Sequence, residues 1–359
     1  MSLYAQFLRL MHLFDSLGAH QKRAFALWCC GVILAESCHL STVADALVSV
    51  QTASAAAVNK RLARFLSNPR ISDNLLSCAW VRWVAQTYAS SHWVILVDET
   101  KLSNHLGVLM VGLAYRGRAI PLLWRCYAPT AYPPEGQVAV IRELLTCLRL
   151  LVPAEIAFTV QADRGIGTSP DLIRELQRLQ VGFLLRVQGQ TRLRLRNGRV
   201  HALASLVKSG ETWCGCGHVF KKAGWLRLYI RLEWRPGEKS PWCLVTHSPW
   251  RQSRDYALRA WQEQSFRDLK SFGWRWNASH VWHPAHAHRL LFVLALTYAW
   301  VLSQAVLFTP EERLSPSRTA PRQSLFRRGL RWVRTQIQRT LIGFVYPGLV
   351  FHSDTPLLC

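Results

Sequence analysis

The sequence predicts an α/β protein, a mixed sheet flanked by helices, with a β-rich insertion and an all-helical N-terminal region ahead of it. Three observations predict this class. Short continuous apolar runs of buried-strand texture, 93–97 and 157–162, each give way to an aspartate, Asp98 and Asp163. Segments with apolar residues at helical spacing separate them, as in 136–150, where Val140, Ile141, Leu144, Leu145 and Leu148 share a face. From about 188 to 252, apolar and polar residues alternate instead, the pattern of half-buried strands.

Residues 1–90 read as helices without strands. The stretch 23–36 is apolar and periodic, Ser41 is placed to cap 42–48, and Ser54 opens a helix through Leu66 that carries Lys60, Arg61 and Arg64. Two short helices around a turn, the second basic, suit a helix-turn-helix and equally a helical bundle with a solvated basic face. After the first strand, 108–115 and 119–124 flank Arg116-Gly117-Arg118 as a hairpin. Ser169-Pro170 supplies an N-cap and a first-turn proline for a helix through Leu179, and 181–187 is a further strand. Within the insertion, Asn197-Gly198 is a hairpin turn, and the alternation of 192–196 and 226–234 exposes Arg192, Arg194, Arg196, Arg227 and Arg231. Helix resumes from about 254 to Lys270, with Gly273 as its stop. The run 290–308 is long enough for a bilayer but contains Thr297, Ser303 and Gln304, so it is expected as a buried core helix. A Pro-, Ser- and Arg-rich linker at 309–322 leads to an amphipathic Arg-rich helix over 324–341. The resulting division is 1–90 helical, 91–187 first core segment, 188–252 insertion, 253–308 second core segment and 309–359 Arg-rich tail.

Charge narrows the function. In 359 residues, 44 Lys and Arg face 21 Asp and Glu, a net charge of +23 that implies a polyanionic partner. Half the chain is hydrophobic and 16 residues are Trp, which excludes a disordered basic tail. The ten Cys lack the spacing of a disulfide framework and residues 1–12 lack a signal-peptide profile, so a reducing cytoplasmic setting is expected. Cys214, Cys216 and His218 have no second ligand pair and fall short of a zinc pattern; the alternative is a Gly-rich turn with small buried thiols.

With so few acids, their placement is informative. Tyr256, Arg259, Glu263 and Lys270 sit at offsets that, at about 100° per residue, fall within an arc of roughly 60° on one helix face. Arg259, Glu263 and Arg267 suit ordinary solvent-facing ion pairs. The same grouping suits three carboxylates, Asp98, Asp163 and Glu263, converging to hold two divalent cations, with neighbouring cations clamping phosphates.

Tyr256-x2-Arg259-x3-Glu263-x6-Lys270 resembles, at all four positions, the Tyr-Arg-Glu-Lys signature of the insertion sequence four family of DDE transposases. The resemblance extends over roughly residues 20–305, with Asp98 as the first acid and Asp163, followed by Arg164-Gly165, as the second. It implies an RNase H-like core interrupted by a β-rich insertion, the N-terminal helices binding DNA, and a transposase that binds the inverted repeats of its element, cuts them and transfers the strand. Asp98, Asp163 and Glu263 would be catalytic and metal-binding, the metals two Mg or, in their place, Mn. Tyr256, Arg259, Lys270 and Arg164 would contact DNA phosphates. The partners would be double-stranded DNA, as element ends and target, and a second copy of the chain on paired ends, with no membrane; the setting would be the bacterial cytoplasm, at the nucleoid when bound. Glu99, on the opposite strand face from Asp98, would stand behind the site. An aromatic of the insertion would hold a flipped base, Trp234, Trp242 and Trp250 being available for this or for core packing. A nuclease or resolvase on the same core and a non-catalytic DNA-binding relic are the rival functions.

Overall fold

The computed structural model describes residues 2–49, 52–249, 251–309, 323–339 and 349. Five helices, α1 (Leu3–Leu10), α2 (Ala19–Ala35), α3 (Leu40–Val48), α4 (Ala55–Ser67) and α5 (Asp73–Thr87), precede the first strand. Ser54 caps α4, its Oγ accepting from the Ala57 amide at 3.3 Å. Ser41 does not cap α3. That helix starts at Leu40 with His39 at the N-cap, and Ser41, inside the first turn, bonds His39 Nδ1 at 3.0 Å.

The sheet begins with β1 (His92–Leu102), β2 (Leu106–Tyr115) and β3 (Arg118–Tyr127), an antiparallel meander. Helix α6 (Gly136–Leu151) returns the chain to β4 (Ala157–Ala162), parallel to β1, and the short α7 (Arg164–Gly167) and α8 (Pro170–Arg178) lead to β5 (Gly182–Arg186), parallel to β4. Then follow β6 (Arg192–Arg194), β7 (Val200–Ala202), β8 (Thr212–Val219), β9 (Leu226–Glu233) and β10 (Trp242–Thr246). All ten strands form one mixed, mostly antiparallel sheet in the order β3-β2-β1-β4-β5-β10-β9-β8-β6-β7. The alternating stretch is thus joined edge-on to the core, because β10 pairs antiparallel with β5 and carries the others outward.

Two expectations about local structure change. The first strand does not end at Asp98 but runs on to Leu102, since β2 supplies a ladder from Asp98↔Met110 to Leu102↔Leu106. What ends there is the parallel pairing, whose last register is Val97↔Ala162. Asp98 and Asp163 are therefore the first residues beyond it, side by side at the sheet's C-terminal edge. Cys214 and Cys216 are not buried in a turn; they alternate outward on β8 and are exposed, opposite Arg231 and Tyr229 of β9.

The stretch after the sheet is helical but not uniform: a 3-10 segment (Ser253–Arg259), α9 (Ala260–Arg267) and a π-helical turn (Asp268–Phe272). Helix α10 (Pro284–Phe308) is long and apolar enough to cross a membrane, yet it is buried within the fold from Leu290 to Ala305. It packs on α2, α4, β3 and α11 (Leu325–Gln338), and one hydrophobic core runs from Leu3 through the sheet to Val333. Arg289 ties α10 to the N-terminal helices, donating to Asp73 Oδ1 at 2.8 Å and to the Leu66 carbonyl at 2.8 Å. The residues 310–322 and 340–341 of the expected linker and tail helix lie outside the described residues, and Ser324 caps what is described of that helix.

Gly329 lets α11 approach α10: a Cβ there would lie 2.2 Å from the Val301 carbonyl oxygen. Gly329→Ala is expected to destabilise the protein by about 1–3 kcal/mol in denaturant unfolding, with α11 becoming the first segment to exchange amide hydrogens. Burial lowers the His288 imidazole from 6.5 to about 4, with Arg125 and Arg289 acting in the same direction and Asp73 opposing. A depressed value means that the stability it carries is present above pH 6.5 and lost as pH falls toward 4. Melting temperature should fall through that window, and His288→Leu should flatten the fall.

Candidate active site

Four separate elements deliver the site. Asp98 lies mid-strand in β1, 8% exposed, and its Oδ1 accepts from the Glu99 amide at 2.9 Å, which turns Oδ2 toward the helical stretch. Asp163 caps α7, Oδ1 accepting from the amides of Gly165 at 2.9 Å and Ile166 at 3.1 Å. One oxygen thus does what an aspartate after a strand ordinarily does, and the other faces the site. Glu263 comes from the first turn of α9, and Arg259 from the 3-10 segment one turn earlier.

The three carboxylates meet on Arg259. Its Nη2 is 3.0 Å from Asp98 Oδ2 and 3.7 Å from Asp163 Oδ2, while Nη1 donates to Glu263 Oε1. Burial works against the charge on Arg259, but Asp98 and Glu263 outweigh it and hold the guanidinium protonated. Burial pushes the Asp98 carboxyl up to about 6, with Arg259 holding it down and the other two acids adding to the rise. Arg259 Nε is buried without a hydrogen-bond partner among the described residues.

The remaining signature residues gather on the same edge. Lys270, in the π-helical turn, donates from Nζ to the Lys101 carbonyl at 2.7 Å, and burial lowers its ammonium against the pull of Asp98. The Tyr256 hydroxyl donates to the Ala162 carbonyl at 3.2 Å, the residue before Asp163, and burial pushes its phenol up. Arg164 is exposed in α7 and makes no ion pair with the three acids among the described residues; it lines a cavity of about 450 Å³ with Arg186 and Trp234. Trp242 sits edge-on to Tyr256 with ring centroids 5.3 Å apart, beneath the Arg235 guanidinium. Trp250 lies outside the described residues. Glu99 faces away from Arg259, accepting from the Tyr127 hydroxyl and from Gln137 Nε2 at 2.8 Å.

One supporting group has no sequence signal. Asp268, buried, accepts from Arg118 Nε at 2.5 Å and from the Tyr298 hydroxyl at 3.0 Å. Ser265 Oγ accepts from the Ala119 amide at 2.7 Å. These bonds fasten the helix carrying Glu263 to the start of β3 and to α10, through partners some 150 residues apart for Arg118 and Asp268.

Among the described residues no three His, Cys, Asp or Glu side chains stand close enough together to hold a metal ion. Chemically the donor set is three carboxylates, all hard oxygen ligands suited to Mg or Mn, around a space that the Arg259 guanidinium occupies.

No protein-family model and no curated protein matches the sequence. A cryo-EM structure of a piggyBac transposase synaptic complex with hairpin DNA is similar over 99% of this chain and 84% of that one, at 10% identity and a TM-score of 0.38.

If Arg259 is the counter-charge that holds Asp98 down, Arg259→Gln should move the Asp98 carboxyl above about 6, read by carbon-13 NMR titration of the labelled carboxylates. An unchanged titration would show that the guanidinium does not carry that load.

Proposed function

We propose that the protein is a DNA transposase of the DDE type, cutting and joining DNA at the C-terminal edge of the sheet. The observation that carries this is the convergence of Asp98, Asp163 and Glu263, from elements 65 and 100 residues apart by numbering, on the single cation Arg259. A helix-surface ion pair would need only Arg259 and Glu263; it gives no reason for two strand-edge aspartates to join them. The succession strand, hairpin, helix, strand, helix, strand over β1 to β5 supports an RNase H-like core, as the resemblance to the insertion sequence four group implies.

Asp98, Asp163 and Glu263, once Arg259 turns out of the space between them, would hold the divalent cations. Such ions, when bound, activate a hydroxyl nucleophile and stabilise the oxygen that leaves phosphorus. The chain's own part is positioning. Arg259, whose Nε is already unsatisfied, would turn its fork to a phosphate oxygen, and Lys270 would neutralise a second as a point charge. Tyr256 would orient the backbone beside Asp163. Water attack at an element end would free a 3'-hydroxyl, and that hydroxyl would attack target DNA in a second in-line displacement. The N-terminal helices and the exposed arginines of β6 and β9 would supply salt-sensitive affinity for DNA, and two copies of the chain would bring two ends together.

The test is cleavage of a plasmid carrying the DNA that flanks the coding region, with Mg or with chelator. Metal-dependent nicks at the element ends are expected, lowered about 100-fold or more by Glu263→Gln and by Asp98→Asn, while salt-sensitive binding to the same DNA persists. Binding without metal-dependent cleavage would sink the catalytic assignment and leave a DNA-binding relic. Cleavage without joined products would reduce the function to a nuclease.

A further inference from the structure

The opposite end of the same sheet is also built for charge. The N-terminal ends of β1, β4 and β5 frame a cavity of about 690 Å³ lined by His92, Arg149, Thr159, Gly182, His247 and Arg251, among others. Asp98 lies six residues after His92, roughly 20 Å along β1, so this cavity is not part of the carboxylate site.

Its polar groups are linked in a hydrogen-bonded chain anchored on Arg251. Arg251 Nη2 donates to Thr159 Oγ1 at 2.7 Å and lies 3.1 Å from His92 Nε2. The Thr159 hydroxyl is in turn 2.9 Å from that same His92 nitrogen, which accepts and so leaves the imidazole neutral, with its proton on Nδ1. Burial, then Arg251 and His247, lowers His92 to about 4, in agreement with a neutral ring. On the other side His247 Nδ1 packs against β5, 2.9 Å from the Phe183 amide nitrogen and 3.3 Å from the Phe183 carbonyl oxygen. The ring lies against bare backbone: a Cβ on Gly182 would come within 2.7 Å of His247 Cε1.

Positive charge here is only loosely matched. The half-buried Arg251 feels the Asp255 carboxylate at a distance but makes no ion pair with a carboxylate among the described residues, and its hydrogen bonds go to neutral groups. Arg149 gives its donors to the carbonyls of Ile156 at 2.7 Å, Val152 at 3.0 Å and Pro153, and stacks over the Phe158 ring at 4.5 Å. The acid lining the cavity is Glu155, so two guanidiniums face one carboxylate. A guanidinium held in a concave, partly desolvated wall and hydrogen-bonded only to neutral groups is suited to an anion, and its planar fork matches the oxygens of phosphate.

We propose that this cavity binds a phosphate group, with Arg251 as the charged anchor, the Thr159 hydroxyl holding its guanidinium in place, and His247 and Arg149 beside it. The phosphate belongs either to a small phosphate ester or to the backbone of bound nucleic acid; both present the same oxygens to the same donors.

Inorganic phosphate titrated into the full chain, without metal and at constant ionic strength set by chloride, tests this by calorimetry and by the ring signals of labelled histidines. Saturable binding that moves the His92 and His247 signals is expected. Arg251→Gln should weaken it at least about tenfold, and Thr159→Val should weaken it less. Melting of each variant without phosphate shows that it is folded; if Arg251→Gln is not, Arg251→Lys, which keeps the charge but not the fork, should still lose affinity. Competition then separates the sources: displacement by a 5'-mononucleotide but not by duplex identifies a small ester, and displacement by duplex identifies backbone. The proposal is overturned if phosphate shows no saturable effect, or binds as tightly to a folded Arg251→Gln variant.

Discussion

A single guanidinium sets the terms for the carboxylate site. Asp98, Asp163 and Glu263 come from β1, the start of α7 and α9, and each directs an oxygen at Arg259. Three negative charges gathered at a partly buried sheet edge are costly unless a cation stands among them or protons are taken up. The Asp98 carboxyl shows both pressures, raised by burial and restrained by Arg259. The balance also explains how a chain so poor in acids can spend three of them in one place: the cluster is a tether, holding the helical stretch against the sheet from which the aspartates project.

The tether needs a second fastening, because the helical stretch could otherwise roll on the sheet and take Glu263 with it. Asp268 and Ser265 supply it, reaching Arg118, Tyr298 and the Ala119 amide. Asp268 opens the π-helical turn, and Lys270 within that turn bonds the Lys101 carbonyl on β1. Glu263 is thus pinned on both sides along its own segment, by Arg259 before it and by Asp268 and Lys270 after it. Geometry of this kind, set by bonds to rigid strands, is what positioning of a reacting group requires.

Much of this was legible in residue order. Ala157–Ala162 reads as a strand because six apolar-rich residues are bounded by turn formers, and Ser54 and Ser169 announce their helices by cap chemistry that is local. The extent of β1 was not legible, because its last five residues are strand only through β2, a partner contributed by tertiary pairing. A single helical pitch from Tyr256 to Lys270 would put the four side chains on one face, whereas the chain passes through 3-10, α and π geometry. The four side chains nevertheless collect at one edge, because the sheet gives three of them a fixed partner, the Ala162 carbonyl, Asp98 and the Lys101 carbonyl, and Arg259 holds the fourth, Glu263. Arg118 carried no signal beyond a hairpin turn, since its partner Asp268 lies in another element, and the histidine and arginine cavity draws on six segments with no shared motif.

The distribution of charge links the two ends of the sheet. The buried acids are committed inside the fold: Asp98 to Arg259, Asp268 to Arg118, and Asp255 to capping the Gln252 amide. Half-buried Asp73 answers Arg289 and Glu99 answers neutral Tyr127 and Gln137. Acids spent in this way cannot offset the surface cations, and so the net charge of +23 is expressed outward. Screening over about 8–10 Å at ordinary salt means that this outward field acts locally, patch by patch. Inside the fold the contrast is sharper: at one end of β1 one guanidinium meets three acids, and at the other two guanidiniums face a cavity lined by one acid, with Asp255 acting on Arg251 from outside it. Excess acid at the first end and excess guanidinium at the second mean that a single strand carries opposite electrostatic demands at its two ends.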